Sequence, residues 1–551
     1  MGIEVWRHLP GHALLVILNL FNATALIFEG YNQGVMGSVS NRPGFIDTMK
    51  IGANGDVHDT TKQGLTIVRR GLVAAYYFGA MFGCFFGGKI GDKLGRKMGV
   101  MIGACFCILG AALMAGAVNS DMFICARVIA GIGIGFNNAI VPPWTSELSQ
   151  AHNRGASFAL VFTANFVGIV IAYWLNFGVQ DSGYTFEWRF PLGFMAIPMA
   201  IVLFTVFFLP ESPRWLVANG HRDIALEILA KVRGDLQHDD PKLVAEMEQL
   251  EAVVESSHHK RNRLWNIATG RYSGALHLGR RAWMGFSLQL IQQWTGILAV
   301  ATWADALFHL AGFDDYKSAW MAGLVNTFGI FGTAAAALVI DRMGRIKSLM
   351  ASFVIQGISL FMLAAFIRVS ETSTGDRSRD FGIAAAVMVF VFLWFFTMFN
   401  IVPCWIYSTE IWPQEIRAKG YAFTILGWAI GCGATTFVIP IMLDDLGWKT
   451  FIFFGCMNII AMPIVWFLYP EVAGRTLEEV NLLFAADSPL VAANYREYQR
   501  RLHEAWGNVA LAERNLLDEV DEKVSEVDLR RGSVVEKTPM PNGEHSDAKF
   551  V

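Results

Sequence analysis

The stretch Gly88-Lys-Ile-Gly-Asp92-Lys-Leu-Gly95-Arg96-Lys97 ends a long apolar segment, and a shorter version of it, Asp341-Arg-Met-Gly344-Arg345, ends another. The two aspartates are 249 residues apart (341 − 92). Other residues recur after nearly the same number of positions. Glu147 and Arg154 correspond to Glu410 and Arg417, and Pro210-Glu211 corresponds to Pro470-Glu471. This pattern indicates that one half-molecule occurs twice in the chain.

The composition indicates a membrane protein: 54% of the residues are apolar, 17% are charged and the mean hydropathy is +0.40. The net charge of −3 implies no general attraction to nucleic acid. All seven cysteines lie in or beside apolar segments without the spacing of a metal site, so we expect them to pack in the core. We predict no cleaved signal sequence.

Twelve segments are apolar and about 20 residues long, the length that crosses a bilayer as a helix. Six lie in residues 13–210 and six in residues 282–470. The sequence therefore predicts an all-α membrane protein with a short terminus (1–12), a six-helix bundle (13–210), a charged linker (211–281), a second six-helix bundle (282–470) and a polar tail (471–551). The predicted cores are 13–35, 71–90, 99–118, 122–142, 156–178, 190–209, 284–308, 318–340, 349–367, 382–404, 421–440 and 450–468.

Lysine and arginine concentrate in alternate loops, those that contain the duplicated motif among them. Basic loops stay on the cytoplasmic side, so both termini are expected there, although Arg69, Arg70, Arg377 and Arg379 weaken the contrast. Helical apolar spacing predicts two linker helices, Asp223–Val232 and Lys242–Ser257. In the tail, the sequence predicts an amphipathic helix over Asp487–Asn515 and disorder from Asp518 onward.

With these motifs, residues 13–480 resemble the sugar porter family of the major facilitator superfamily, in particular its fungal members. The residues that carry the resemblance, in addition to the duplicated loops, are Gly30-Tyr31-Asn32-Gln33-Gly34, Arg127-Val-Ile-Ala-Gly131, Pro210-Glu211-Ser212-Pro213-Arg214-Trp215, Gln292-Gln293-Trp-Thr-Gly296 and Pro403-Cys-Trp405.

The resemblance implies two six-helix bundles around a central cavity, with substrate bound near the bilayer midplane. It also implies that paired charges at the cytoplasmic helix ends latch an inner gate. The alternative is that these are ordinary solvated loop charges. The gate candidates are Asp92, Arg96, Glu147 and Arg154 in the first half, and Asp341, Arg345, Glu410 and Arg417 in the second.

A sugar offers hydroxyl groups and apolar ring faces, so its site needs amides and aromatic planes. By resemblance, the substrate-binding candidates are Gln292, Gln293, Asn326, Trp405, Trp428 and Asn32. The alternative for each is a polar or packing contact between helices.

Three departures from the family pattern leave the substrate open. Leu298 stands where the family has an asparagine. Phe162 aligns with a glutamine that usually faces the sugar, and Asn165 is its substitute if the register shifts. Thr302 and Trp303 replace a pair of tyrosines.

Proton coupling is likewise open. Many symporting members carry an aspartate at the position of Asn32, paired with the arginine that is Arg127 here. Asparagine does not titrate, so facilitated diffusion is the simplest interpretation. However, Glu29 lies one helical turn away and is a candidate proton carrier and countercharge for Arg127. Asp305 is a second candidate.

The leading hypothesis is therefore transport of a monosaccharide or related polyol by alternating access, as a proton symporter or a facilitator. Two alternatives remain: a membrane sugar sensor that does not transport, and a carrier of a disaccharide or of a polyol acid such as quinate. We expect no enzymatic activity, no cofactor and no metal. The expected partners are the solute, protons if transport is coupled, and the lipid bilayer of the plasma membrane.

Overall fold

The computed structural model describes residues 5–40, 42–51, 67–148, 154–180, 182–256, 264–270, 274–413 and 416–520. The regular structure in this part of the chain is helical. Lipid offers backbone groups no hydrogen-bond partners, so apolar segments satisfy them internally as helices. The first half contains α1 (Gly11–Val39), α2 (Ile67–Leu94), α3 (Arg96–Ala115), α4 (Ser120–Leu148), α5 (Arg154–Gly178) and α6, which consists of Phe186–Phe194 and Ala196–Val206.

The second half contains two interrupted helices among its six. Helix α7 runs through Leu278–Gln292, a wider turn Gln293–Ile297 and Leu298–Ala301, and a short helix Ala304–Leu310 follows. Then come α8 (Asp315–Met343), α9 (Arg345–Thr372), α10 (Asp376–Phe396, the wider turn Thr397–Ile401 and Val402–Glu410), α11 (Arg417–Leu446) and α12 (Lys449–Leu468). All twelve predicted spans are thus present as helices, and α7 begins inside the predicted 211–281 linker.

In the part of the chain that the structure describes, ten of the twelve are long and apolar enough to cross a membrane. The two others are α5, whose side chains are described from Phe162 to Gly178, and α7, which is interrupted. Helix α7 is interrupted at Gly296, whose φ of 99° and ψ of 7° are left-handed. Residues with a Cβ rarely adopt that conformation, so the glycine permits the interruption beside the cavity described below.

The two halves pack in the same way. In the first half α1 packs on α5, and in the second half α7 packs on α11. Likewise, α3 packs on α4 and α6, and its counterpart α9 packs on α10 and α12. Between the halves, α2 packs on α11 and α5 packs on α8. Because α2 corresponds to α8 and α5 to α11, these interfaces are equivalent under the same pseudo-twofold relation. The duplication seen in the sequence is therefore also a structural repeat.

We call the end of the bundle that carries the two Asp…Gly-Arg turns the loop face. The linker helices Pro213–Ala218, Arg222–Val232 and Pro241–Ser256 lie on this face. Arg233 donates to the Leu148 carbonyl at the end of α4 (3.4 Å), and Asp235 accepts from the Gly11 amide at the start of α1 (3.0 Å). The last two helices lie close to the predicted ranges, and Ser257 is outside the described residues.

The C-terminal segment packs on the loop face of the second half. It contains Leu477–Leu483, Val491–Glu504 and a helix over 509–520 in place of the single helix predicted from 487 to 515. Arg281 is fully buried and donates to the Ile411 carbonyl (3.0 Å) and to Asn481 Oδ1 (2.9 Å), which connects this segment to α7 and α10. The tail predicted to be disordered is helical to residue 520, and the rest of it lies outside the described residues.

Candidate substrate cavity and gate

A cavity lies between the two halves, lined by α1, α5, α7, α10 and α11. The empty space between its walls, including the opening to solvent, is about 590 Å³. The fold brings together five of the predicted site residues in its walls: Gln292, Gln293, Trp405, Trp428 and Glu29.

Three amides form a hydrogen-bonded chain at one side of this cavity. Gln293 Nε2 donates to Gln292 Oε1 (3.1 Å), and Gln292 Nε2 donates to Asn400 Oδ1 (3.1 Å). The wider turn in α7 begins at Gln293, and the wider turn in α10 contains Asn400. An amide both donates and accepts, so the chain is suited to groups that do the same, such as hydroxyls.

The remaining walls are largely apolar. Leu298 and Thr302 line the α7 side. On α5, Phe162 and Asn165 both line the cavity, one helical turn apart, so the asparagine accompanies the phenylalanine instead of replacing it. All three departures from the family pattern thus bear on the cavity surface.

Asn32 and Asn326, two predicted ligands, lie behind the cavity wall. Asn32 Oδ1 accepts from Arg127 Nη1 (2.8 Å), and Arg127 also donates to the backbone carbonyls of Leu72 and Val73 (3.3 and 3.2 Å). Asn326 Nδ2 donates to its own helix and, at 3.4 Å, to the Ala301 carbonyl in α7. Their contacts hold helices that form or support the cavity.

The two acidic candidates differ in their surroundings. Glu29 is 3% exposed, and its Oε1 accepts from Asn138 Nδ2 (3.2 Å) and from Gln33 Nε2 (3.5 Å). Arg127 bonds to Asn32, as described above, so Glu29 and Arg127 belong to different hydrogen-bonded groups. Asp305 lies on the short helix after α7, with its Oδ1 3.9 Å from His309 Nε2.

At the loop face of the first half, Arg96 pairs with two carboxylates. Its Nη1 lies 2.7 Å from Asp92 Oδ1, and its Nη2 lies 3.8 Å from Glu147 Oε1. Glu147 also accepts from the Ser212 hydroxyl. The motif Pro210-Glu211-Ser212 is thereby joined to the end of α4.

The second half repeats this arrangement with shorter contacts to the distant carboxylate. Arg345 donates to both oxygens of Glu410 (3.1 and 3.0 Å), and its Nη1 lies 3.4 Å from Asp341 Oδ1. Six of the eight predicted gate residues therefore form two matched clusters. Arg417 is half-buried at the first turn of α11, and the Arg154 side chain lies outside the described residues.

Two further carboxylates complete the clusters. Glu211 accepts from the Arg96 amide (2.9 Å) and the Lys97 amide (3.2 Å), and Glu471 accepts from the Arg345 amide (3.0 Å) and the Ile346 amide (2.9 Å). These are the first two amides of α3 and α9, whose N-termini favour negative charge. Burial raises the pKa of Glu211, while its hydrogen bonds from Ser212, Lys97 and Arg96 act to lower it.

A family model described as "Sugar (and other) transporter" matches residues 18–484. The chain belongs to this family. The sugar transporter STL1 of Saccharomyces cerevisiae is 29% identical over 87% of this chain and 82% of its own length. The major facilitator superfamily transporter mfsA of Aspergillus fumigatus is 30% identical over 87% of each chain.

Among solved structures, the proton:xylose symporter XylE bound to 6-bromo-6-deoxy-D-glucose has a TM-score of 0.72 at 22% identity. The match covers 86% of this chain and 100% of XylE. The predicted family and the twelve-helix fold are thereby confirmed. This sugar transporter family member is a multi-pass membrane protein.

The sequence motifs did not identify Asn400 as the partner of Gln292, or Glu211 and Glu471 as members of the gate clusters. Asn400 was detectable as a lone amide within an apolar span, where polar groups are costly and need a role. Glu211 and Glu471 had a clearer signal, since they recur on nearly the same period as the gate charges. Their role as helix caps depends on the fold, which places the end of α6 beside the start of α3 and the end of α12 beside the start of α9.

Proposed function

We propose that the protein carries a monosaccharide or related polyol across a membrane by alternating access, with the cavity as its substrate site. The observation that carries the proposal is the pair of amides Gln292 and Gln293, which line one cavity with Trp405 and Trp428 at the boundary of two repeated halves. Asn400 holds the Gln292 amide from behind. The names of STL1 as a sugar transporter and of XylE as a proton:xylose symporter support the same solute class.

In this proposal, Gln292 and Gln293 bond to substrate hydroxyls, and the faces of Trp405 and Trp428 pack on the apolar ring or chain carbons. Asn326 acts through α7, because its amide bonds to the Ala301 carbonyl next to the lining residue Thr302. Asn32 acts through Arg127, which it holds against the backbone of α2. Neither asparagine needs to touch the solute to affect its binding.

The loop face is proposed to be cytoplasmic, in agreement with its basic loops. The described chain ends support one common side for both termini, because the N-terminal and C-terminal segments both pack there. The matched Arg96 and Arg345 clusters would then stabilise the inner ends of the two halves, with Arg154 and Arg417 as further members. We propose the plasma membrane as the location.

Proton coupling is proposed to depend on Glu29. This carboxyl lines the cavity and has Asn138 and Gln33 as polar neighbours, so a proton on it would be close to bound solute. Among the described residues, the hydrogen-bond partners of this buried carboxyl are neutral amides, so it is costly to keep ionised, which favours a role in proton exchange. If Glu29 stays in one protonation state, the protein is a facilitator.

The test is uptake by the purified full chain in proteoliposomes across a panel of hexoses, pentoses, disaccharides, linear polyols and quinate, with and without an imposed pH gradient. The proposal predicts saturable uptake of at least one monosaccharide or polyol. Uptake of a disaccharide or of quinate alone would replace the solute class. Binding of a sugar without uptake of any solute would identify a sensor and refute the carrier.

A further inference from the structure

Four aromatic side chains form a continuous chain that crosses between the two halves. The ring centroid of Phe162 on α5 lies 5.1 Å from that of Trp405 on α10. Trp405 lies 6.1 Å from Trp428 on α11, and Trp428 lies 5.9 Å from Tyr77 on α2. Because α5 and α2 belong to the first half and α10 and α11 to the second, the chain crosses the boundary twice.

Three of these rings close the cavity on one side. On each of α5, α10 and α11, the cavity-lining residue nearest the loop face is aromatic: Phe162, Trp405 and Trp428 respectively. The polar groups of the cavity, including Gln293 and Asn165, share the space that these rings border. On these three helices, the aromatic rings therefore lie on the loop-face side of the other cavity-lining residues.

The contact is buried and close. The four rings are between 3% and 4% exposed, and centroid separations of about 5 to 6 Å are those of aromatic rings in contact. Phe162 has no polar side-chain atom to bond to a hydroxyl, so its contribution here is packing against Trp405. A solute leaving toward the loop face between α5 and α10 would have to separate Phe162 from Trp405.

We propose that Phe162 and Trp405 form a thin aromatic gate between the cavity and the loop face, distinct from the ion pairs at the helix ends. This inference rests on the proposed function for its role in transport, because a gate has meaning only if solute passes. As a physical barrier, however, it makes a prediction that does not require transport. The two rings belong to opposite halves, so relative motion of the halves opens and closes it.

A native cysteine reports on the barrier. Cys432 lines the cavity on α11, one helical turn beyond Trp428, and is buried. Cys107, which is buried between α3 and α4 with its Sγ 3.7 Å from the Ala130 carbonyl, reports on the fold of the first half. In membrane vesicles that expose the loop face, a membrane-impermeant thiol reagent is added and each cysteine is quantified by peptide mass spectrometry.

We expect Phe162→Ala to raise the rate of Cys432 modification by about tenfold or more, with Cys107 still protected, because removing the ring opens a path from the loop face. Phe162→Tyr, which keeps the ring, should react like the wild type. Phe166→Ala is the matched control: it removes a second cavity-lining ring one turn further from the loop face and should change the rate by less than about twofold.

The gate proposal is refuted if Cys432 in Phe162→Ala is modified at the wild-type rate while Cys107 stays protected. If Cys107 is modified in Phe162→Ala, that variant has lost its fold. The same labelling rate is then measured in Phe162→Leu, which removes the flat ring but keeps an apolar side chain. The labelling result and the solute panel can fail separately. Faster labelling without uptake of any solute would leave the barrier in place and refute only the proposed function.

Discussion

Glu211 and Glu471, 260 residues apart in the chain (471 − 211), occupy the same position in the two halves. Each carboxylate accepts hydrogen bonds from the first two backbone amides of the helix that follows the glycine of the duplicated motif, with donor–acceptor distances from 2.9 to 3.2 Å. Each therefore ties the end of its own half to the helix turn that presents Arg96 or Arg345. The gate clusters are built on these two caps.

We predict that Glu211→Gln and Glu471→Gln each lower the free energy of unfolding by about 1 kcal/mol, because an amide has one accepting oxygen where the carboxylate has two. Transport should slow in both variants. The measurements are thermal stability in detergent and initial uptake rate. Glu248→Gln, at an exposed position of the linker on the same face, is the control and should behave like the wild type. Unchanged stability in both cap variants would count against their structural role.

The glycines next to these caps should not tolerate alanine. Gly95 and Gly344 have φ values of 98° and 87°, and an added Cβ would lie 2.6 and 2.7 Å from the Oε2 atoms of Glu211 and Glu471. Gly344→Ala should cost about 1–3 kcal/mol from backbone strain, in addition to displacing the carboxylate. Gly71→Ala, in α2 with open space around its Cβ position, should keep the wild-type stability. Equal melting temperatures for the two variants would contradict this.

Gln293→Leu should raise the KM for the transported solute by about tenfold, corresponding to loss of a hydrogen bond of about 1.4 kcal/mol, with a smaller effect on the maximal rate. The matched control is Gln289→Leu. That amide lies one turn earlier on α7, is also buried and bonds to the Ser408 hydroxyl (3.2 Å). A KM increase of the same size in both variants would indicate a general effect on α7 instead of loss of a substrate contact.

If Glu29 carries the proton, Glu29→Gln should abolish accumulation driven by a pH gradient and leave solute exchange at a large fraction of the wild-type rate. Glutamine keeps the size of the side chain and its contacts with Asn138 and Gln33, but it does not titrate. Asp305→Asn, measured in parallel, tests the other candidate. Equal loss of accumulation and exchange in Glu29→Gln, or loss of neither, would remove the assignment.

Residues that recur or follow a family motif were predictable from the sequence. The duplicated turns indicated two equivalent halves, and Arg96, Arg345 and their carboxylate partners form the clusters that were expected of them. The apolar segments indicated twelve spans. The interruption of α7 was not predicted, because Gly296 is one of many glycines in apolar segments and only its left-handed backbone distinguishes it.

Contacts between elements far apart in the sequence were harder to predict from the sequence. Asn32 was predicted as a substrate ligand, but its side chain bonds to Arg127. The pairing of Glu29 with Asn138 instead of Arg127 depends on how α1 is rotated against α4, which helical spacing alone does not specify. The contact of Phe162 with Trp405 depends on packing between the halves, and no motif contains both residues.

A carrier releases a solute bound in its cavity on either side of the membrane. This can be measured by counterflow: proteoliposomes containing the full chain are loaded with an unlabelled solute identified in the panel, and trace labelled solute is added outside. The wild type should show transient accumulation of label above equilibrium, and Gln293→Leu should show a strongly reduced overshoot at low solute concentration. Saturable binding of the same solute with no counterflow would contradict the carrier.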